Sequence, residues 1–551
     1  MIDSFINILK YNQSKPILFT QLFFWGFFVL VLFIYSFIYK NNKARTTFLF
    51  LTSLYFYFKT SGLFILLLLF TIINDYYLGK KIAASSNQQQ KKRLLIISVC
   101  CNLFFLCFFK YAYFFTQSYN QIVGTDYAFF NHFAQLSNIT LNTTFRLDNV
   151  LPAIGVSFFT FQSLSYTIDL YRSKISPVKS LIDYGFFVCF FPHLVAGPIV
   201  KANEFIHQIY QPYQLRTQEF GMALFLILNG FGKKIVADYL AVNLIDKIFI
   251  NPNYYSGLEV VFGIFGYSLQ IYMDFSGYTD MAIGVALLFG YRLKTNFNSP
   301  YKATSTSEFW KRWHISLSSW LQEYLYIPLG GNKKGTVGSY ICIAFIGLIM
   351  VLLSGKLWLL FVLIISGITI ALFYYKFPAF KQQINTNVNL MVTMLLGGLW
   401  HGSSWLFLIW GGLNGLGLII HKYWQKISPF KNSERYFVKF ILMLVTLTFI
   451  SFTRIFFRSS DLETVSTLIS RIENQFGLNL FFDIITGYWP VMTALFLGYL
   501  IHWIPEKYKI KYRTWFSSQP IYIMGLITVI FIFLMYQLMS SEMQPFIYFQ
   551  F

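Results

Sequence analysis

His401 and His314 are the two residues of this chain whose type and setting suit chemistry. His401 lies in the run LLGGLWHG (395–402), and His314 in EFWKRWHISLSSWLQEYLYIPLGGN (308–332), both beside apolar stretches. An imidazole in apolar surroundings has its charged form disfavoured, so it stays available as a proton acceptor near neutral pH. Gly397, Gly398 and Gly402 leave room for backbone or substrate to approach His401 closely. Each histidine also has a plainer account. His401 fits a core histidine hydrogen-bonded to a neighbouring helix. His314 fits an interfacial helix face, with Trp310, Lys311, Arg312 and Trp313 at headgroup depth. The interfacial account does not cover Ser316, Ser318 and Ser319, a polar face that continues into apolar surroundings.

Asp274 and Asp280 stand six apart in QIYMDFSGYTDMAIG (270–284), a context too apolar for a solvated loop. They are expected to pair with Lys311, Arg312 or a histidine and so orient it, or to form structural ion pairs. A paired-carboxylate hydrolase lacks a soluble cleft to hold its sugar. Asn298 adds a polar side chain in NFNSPY (296–301), and Trp400 precedes His401 directly. His193, beside Pro192 in FFPHLVAGPIV (190–200), could line a pathway; His132, His207, His421 and His502 sit in polar or loop-edge settings. No P-loop, GxSxG or HExxH is present, which argues against nucleotide-driven transport and zinc chemistry. Cys100, Cys101, Cys107, Cys189 and Cys342 lack metal-ligand spacing and read as packing residues.

The elements that must position these residues belong to a membrane protein. Of 551 residues 56% are apolar, 21% aromatic and only 12% charged, with a mean hydropathy of +0.54. A soluble chain carries about 25% charged residues. Apolar runs recur from Phe19 to Met539, enough for about ten to thirteen spans or half-spans of roughly twenty residues each. The net charge of +21 lies in short loops, where it records the positive-inside bias and anionic headgroups rather than nucleic acid. Residues 79–93, with five basic side chains and no acid, are placed in the cytosol. The loop 116–150, with Arg146 against Asp126 and Asp148, is placed outside, and the N-terminus with it, the first apolar run being retained as a span. Residues 46–78 break at Lys59–Gly62, residues 181–200 kink or re-enter at Pro192, Gly197 and Pro198, and 257–291 is expected to break near Ser276–Gly277. The spacing from Glu308 predicts one amphipathic helix with Trp310, His314, Leu317 and Leu321 on a single face. A 405–421 span is expected as a tight continuation of 388–408.

With LPAIGVSFFTFQSLSYTIDLYR (151–172), the stretches quoted above run in consistent order over about half the chain, and together they resemble the membrane-bound O-acyltransferase family, in particular its bacterial, alginate O-acetyltransferase-like branch. The resemblance implies a single all-α membrane domain over residues 1–551, its core at about 150–425 and further spans over 430–551. Its helices ring a central tunnel that reaches a buried histidine. His401 corresponds to the family's catalytic histidine and His314 to the second histidine of the bacterial branch, while His193 inherits no role. Asp274, Asp280, Asn298, Trp310, Arg312, Trp313 and Trp400 are expected to support the site or line the tunnel. No bound cofactor or metal is implied. Acetyl-CoA would present its acetyl group from the cytosolic face, with 292–313 a candidate for phosphate contact. His401 would take the proton of an attacking hydroxyl, and His314 would polarise the acyl carbonyl or position the acceptor. An extracytoplasmic, SGNH-hydrolase-like acetyltransferase partner would carry the group to a polysaccharide, from the inner membrane of a bacterium. Transfer of D-alanyl to a cell-wall polymer is the enzymatic alternative. A transporter or flippase is the alternative of another class, although no inverted repeat supports it.

Overall fold

The computed structural model describes residues 10–13, 16–147, 154–431, 433–538 and 544–547, and among them there is helix but no strand. Asp148, the start of the 151–172 stretch and the first nine residues lie outside the described residues. The chain forms two compact units: Met1–Lys110, Asn131–Asn298 and Ser470–Phe551 in one, Tyr111–Phe130 and Ser299–Ile469 in the other.

The first unit holds α1 (Leu22–Ile38), α2 (Asn42–Ser61), α3 (Ile65–Ala84), α4 (Gln88–Leu106), α5 (Val156–Tyr171), α6 (Leu181–Cys189), α7 (Thr217–Leu240) and α8 (Gly257–Leu288). The Lys59–Gly62 interruption separates α2 from α3, with Gly62 at φ +59°. After α6 the chain kinks through the short helix Phe191–Leu194, as the prolines require. The expected break at Ser276–Gly277 is absent, since α8 runs unbroken for 32 residues. Its glycines serve helix packing instead. A Cβ on Gly277 would lie 2.8 Å from the Gly230 carbonyl oxygen, one on Gly230 2.5 Å from that of Gly277, and one on Gly284 2.6 Å from that of Ala223. Small residues let α7 and α8 approach almost backbone to backbone, a common device in membrane helices. Ser256 and Glu259 close the start of α8 with a reciprocal capping box.

The second unit contains α9 (Thr306–Arg312), α10 (Ile315–Leu321), α11 (Val337–Ser354), α12 (Leu357–Lys376), α13 (Pro378–His401), α14 (Trp405–Ile427) and α15 (Tyr436–Arg458). The single amphipathic helix expected from Glu308 is divided at Trp313–His314, so Trp310 and His314 do not share a helical face. Rather than continuing one another, α13 and α14 form a packed hairpin. Prospective Cβ atoms on Gly398 and Gly411 would fall 2.3 and 2.4 Å from the Phe407 and Met394 carbonyl oxygens. Over its described residues, 116–147, the expected loop also contains helix. Ala112–Val123 reaches into it, and His132–Leu141 forms a further helix that Asn131 caps by accepting from the Ala134 N–H at 3.0 Å.

Among the described residues six helices are long and apolar enough to cross a membrane, and up to eight if each of two sharply bent pairs counts as one span. The shorter α1 and the polar-lined α8, α13 and α14 stand outside that count, which is why it is lower than a reading of apolar runs alone. α11 and α12 are almost wholly exposed and apolar, as a lipid-facing hairpin should be.

Candidate active site

His401 is the last residue of α13, which stops because Gly402 and Ser404 are extended, at φ −157° and −145°. Its ring is 5% exposed. The rings of Trp400, Trp410 and Phe457 wall it at centroid distances of 5.0, 5.1 and 5.5 Å. His314 is wholly buried and comes from the junction of α9 and α10. Its ring lies 5.9 Å from Trp400 and 6.2 Å from His401. Even with their nearest nitrogens turned together, the two imidazoles are too far apart to hydrogen-bond directly. A small group between them could reach both. Burial pushes the His314 imidazole far below its ordinary range, to about 3, so it is neutral at any physiological pH.

His314 adopts a left-handed backbone, φ 44° and ψ 55°, which costs a non-glycine residue on the order of 1–3 kcal/mol unless its surroundings impose it. Those surroundings are visible. Trp313 N–H donates to the Phe309 carbonyl at 2.8 Å and ends α9, and its ring stacks on Phe309 at 5.6 Å. Arg454, reaching from α15 and 3% exposed, lies 4.4 Å over Trp313 and 5.3 Å over Tyr301, and donates to the Tyr301 hydroxyl. A buried cation on an aromatic stack is worth about 2 kcal/mol or more when desolvated. On the other side, Ser318 N–H donates to the His314 carbonyl at 3.0 Å and starts α10. The imidazole is thus held by short elements locked on both flanks. Nδ1 of His314 makes a long 3.5 Å contact with Ser316 Oγ.

The other expected site residues divide between the two units. Trp400 touches both histidines, and Trp310 reaches His401 through Trp410, its ring 5.8 Å from that indole. Arg312 pairs with Glu308 at 2.8 Å, a turn back on α9. Burial pulls the Glu308 carboxyl upward, but hydrogen bonds from the Thr304 N–H and hydroxyl and from Arg312 outweigh it and hold the group below its usual range. Asp274 and Asp280 belong to the first unit, where lysines meet them. Asp280 accepts from Lys233 at 2.6 Å and Asn229 at 2.7 Å. Asp274 accepts from Lys234 at 2.7 Å, which also holds Asp238 at 2.7 Å. The pairing with Lys311, Arg312 or a histidine does not form; each aspartate instead makes the structural ion pair that was its other expected role, because the close passage of α7 against α8 puts two lysines opposite the two aspartates. Asn298 is exposed at the edge of that unit. His193 is fully buried there and hydrogen-bonded through Nδ1 to Gln162 at 2.8 Å.

Sequence reasoning did not single out Tyr301, Trp410, Arg454 or Phe457. Arg454 carried a signal, as a cation inside the apolar run 437–457. The aromatic residues carried none in a chain with 65 Phe, 38 Tyr and 12 Trp. Among the described residues no group of three or more His, Cys, Asp or Glu side chains is arranged to hold a metal ion.

The sequence pattern described as MBOAT, membrane-bound O-acyltransferase family, matches residues 88–368. The chain is 37% identical over 325 residues to the probable alginate O-acetylase AlgI of Pseudomonas putida, covering 58% of this chain and 53% of the relative. It is 31% identical over 404 residues to the peptidoglycan O-acetyltransferase of Helicobacter pylori, covering 69% and 63%. Similarity also extends, at 26% over 304 residues, to the teichoic acid D-alanyltransferase of Streptococcus thermophilus, covering 54% and 62%. The chain spans about half the length of the alginate relatives it matches.

Proposed function

The chain belongs to the membrane-bound O-acyltransferase family, and from that premise we propose that it is an O-acetyltransferase carrying acetyl from cytosolic acetyl-CoA across the membrane for O-acetylation of an extracytoplasmic polysaccharide. The observation that carries this reading is the buried pair His314 and His401, 6.2 Å apart within an aromatic wall. His401 removes the proton from an acceptor hydroxyl, whose oxygen forms the new bond to the acetyl carbon. His314, neutral, donates an N–H to the carbonyl oxygen as negative charge develops there. The C–S bond then breaks, and the proton held by His401 goes to the leaving thiolate. The aromatic wall excludes water that would otherwise hydrolyse the thioester.

On this reading the chain acts as one membrane-embedded domain with its core at about 150–425. The lysines of 79–93 face the cytosol, and the N-terminus is extracytoplasmic, in the inner membrane of a bacterium. A separate extracytoplasmic, SGNH-hydrolase-like acetyltransferase receives the group. Support comes from the names borne by relatives in the alginate and peptidoglycan branches.

The test is transfer of radiolabelled acetyl from acetyl-CoA to native cell-surface polymer, in membranes with wild type, His401→Ala or His314→Ala at matched abundance. Label on the polymer with wild type and its loss in both variants is the expected result. Equal labelling in all three would end the enzyme reading. Label from D-alanine instead of acetate would move the chain to the D-alanyl alternative.

A further inference from the structure

A second buried polar cluster belongs to the first unit and includes none of the candidate site residues. Asp75, in the candidate span Asn42–Ala84, is 0% exposed. Its carboxylate accepts from Ser98 Oγ at 2.7 Å, Ser163 Oγ at 2.5 Å, Asn102 Nδ2 at 2.6 Å and Asn74 Nδ2 at 3.0 Å. All four donors are neutral, and among the described residues no cationic side chain pairs with it. The unit's other aspartates on α7 and α8 each have a lysine. Four hydrogen bonds lower the cost of a buried carboxylate but leave its charge in place, and an uncompensated charge at membrane depth is expensive.

We propose that Asp75, Ser98, Asn102 and Ser163 form a binding site for a desolvated monovalent cation of the sodium type, clamping α3, α4 and α5. Three features support it. With the Asn102 amide turned, the Asp75 carboxylate, the Ser98 and Ser163 hydroxyls and Asn102 Oδ1 make an all-oxygen ligand set, the choice of hard cations, and its single negative charge matches a single positive one. Ser98 Oγ and Ser163 Oγ also each have a second partner toward which the hydroxyl hydrogen can turn, leaving a lone pair inward: Thr167 Oγ1 at 3.1 Å and the Tyr184 hydroxyl at 2.6 Å. Finally, Asn102 Oδ1 is buried beside the carboxylate without a hydrogen-bond partner, and rotation of that amide brings this oxygen to a bound cation. The proposal holds whichever acyl group the histidines transfer.

The purified full chain tests it by thermal unfolding in sodium chloride against choline chloride at equal ionic strength, and by retention of radiolabelled sodium. Wild type is expected to gain several degrees in its midpoint, saturating with sodium, and to hold label that unlabelled sodium displaces. Asp75→Asn should unfold at one temperature in both salts and hold no label, while Ser163→Ala should need more sodium for the same shift. A wild-type midpoint identical in sodium, potassium, lithium and choline, with no label retained, would overturn the proposal and leave a proton as the neutralising species. Should Asp75→Asn fail to accumulate, the wild-type comparison decides alone.

Discussion

The two units hold their buried polar groups in opposite ways. On α7 and α8 the first neutralises charge where it stands: Lys234 lies between Asp238 and Asp274, and Lys233 against Asp280, all contacts at 2.6–2.7 Å. The second gathers the His314 and His401 imidazoles among Trp400, Trp410 and Phe457. An ion pair is held in place by the mutual attraction of its two charges, whereas an imidazole offers one nitrogen to accept a proton and another to donate one. On the proposed function the ion pairs of α7 and α8 build the scaffold, and the histidines of the second unit carry the reaction.

The sharpest way to break this contrast is His401→Ala. Acetyl transfer should fall by about a hundred- to ten-thousand-fold with the thermal midpoint nearly unchanged; a lost fold with intact specific activity would make His401 a scaffold residue. Lys234→Met should do the reverse. Leaving Asp238 and Asp274 buried without their cation costs about 3–5 kcal/mol, read as a lower midpoint and reduced accumulation, and adding Asp274→Asn should recover part of it. Gly230→Ala tests the α7–α8 passage that brings those lysines to the aspartates. Its Cβ would lie 2.5 Å from the Gly277 carbonyl oxygen, so overpacking of about 1–3 kcal/mol should appear in unfolding experiments, with the histidine chemistry intact in the protein that folds.

The smallest effect concerns pH. The His314 imidazole is held near 3 in the folded protein but would protonate near 6.5 in an unfolded chain. The unfolded state then binds more protons, so stability is flat above about pH 6.5 and falls as pH drops below it. His314→Gln should shallow that acid slope, measured as midpoints at pH 5 and 7.5. An unchanged slope would assign the acid sensitivity to other groups.

Much of the molecule was legible beforehand because membrane depth makes polar residues conspicuous. The breaks at Gly62 and Pro192, the polar runs around His314 and His401, and the all-helical membrane class follow from local rules about backbone, hydropathy and the cost of buried polarity. Ser276–Gly277 misled because a glycine that breaks a helix and one that lets a neighbour approach look alike in one dimension. The helix expected from Glu308 misled because Arg454, more than a hundred residues away, grips Trp313 and helps impose a left-handed His314 that local periodicity cannot announce.

By itself, the sequence determined that this is a helical membrane protein and which polar residues it carries into the bilayer, since composition and hydropathy are properties of each segment. Only the tertiary structure decided who meets whom: Asp274 and Asp280 with lysines, Arg312 with Glu308, and His314 with His401. Those choices depend on helix passages and a strained turn stabilised by distant residues, and long-range packing of that kind leaves little trace in the spacing of any one stretch.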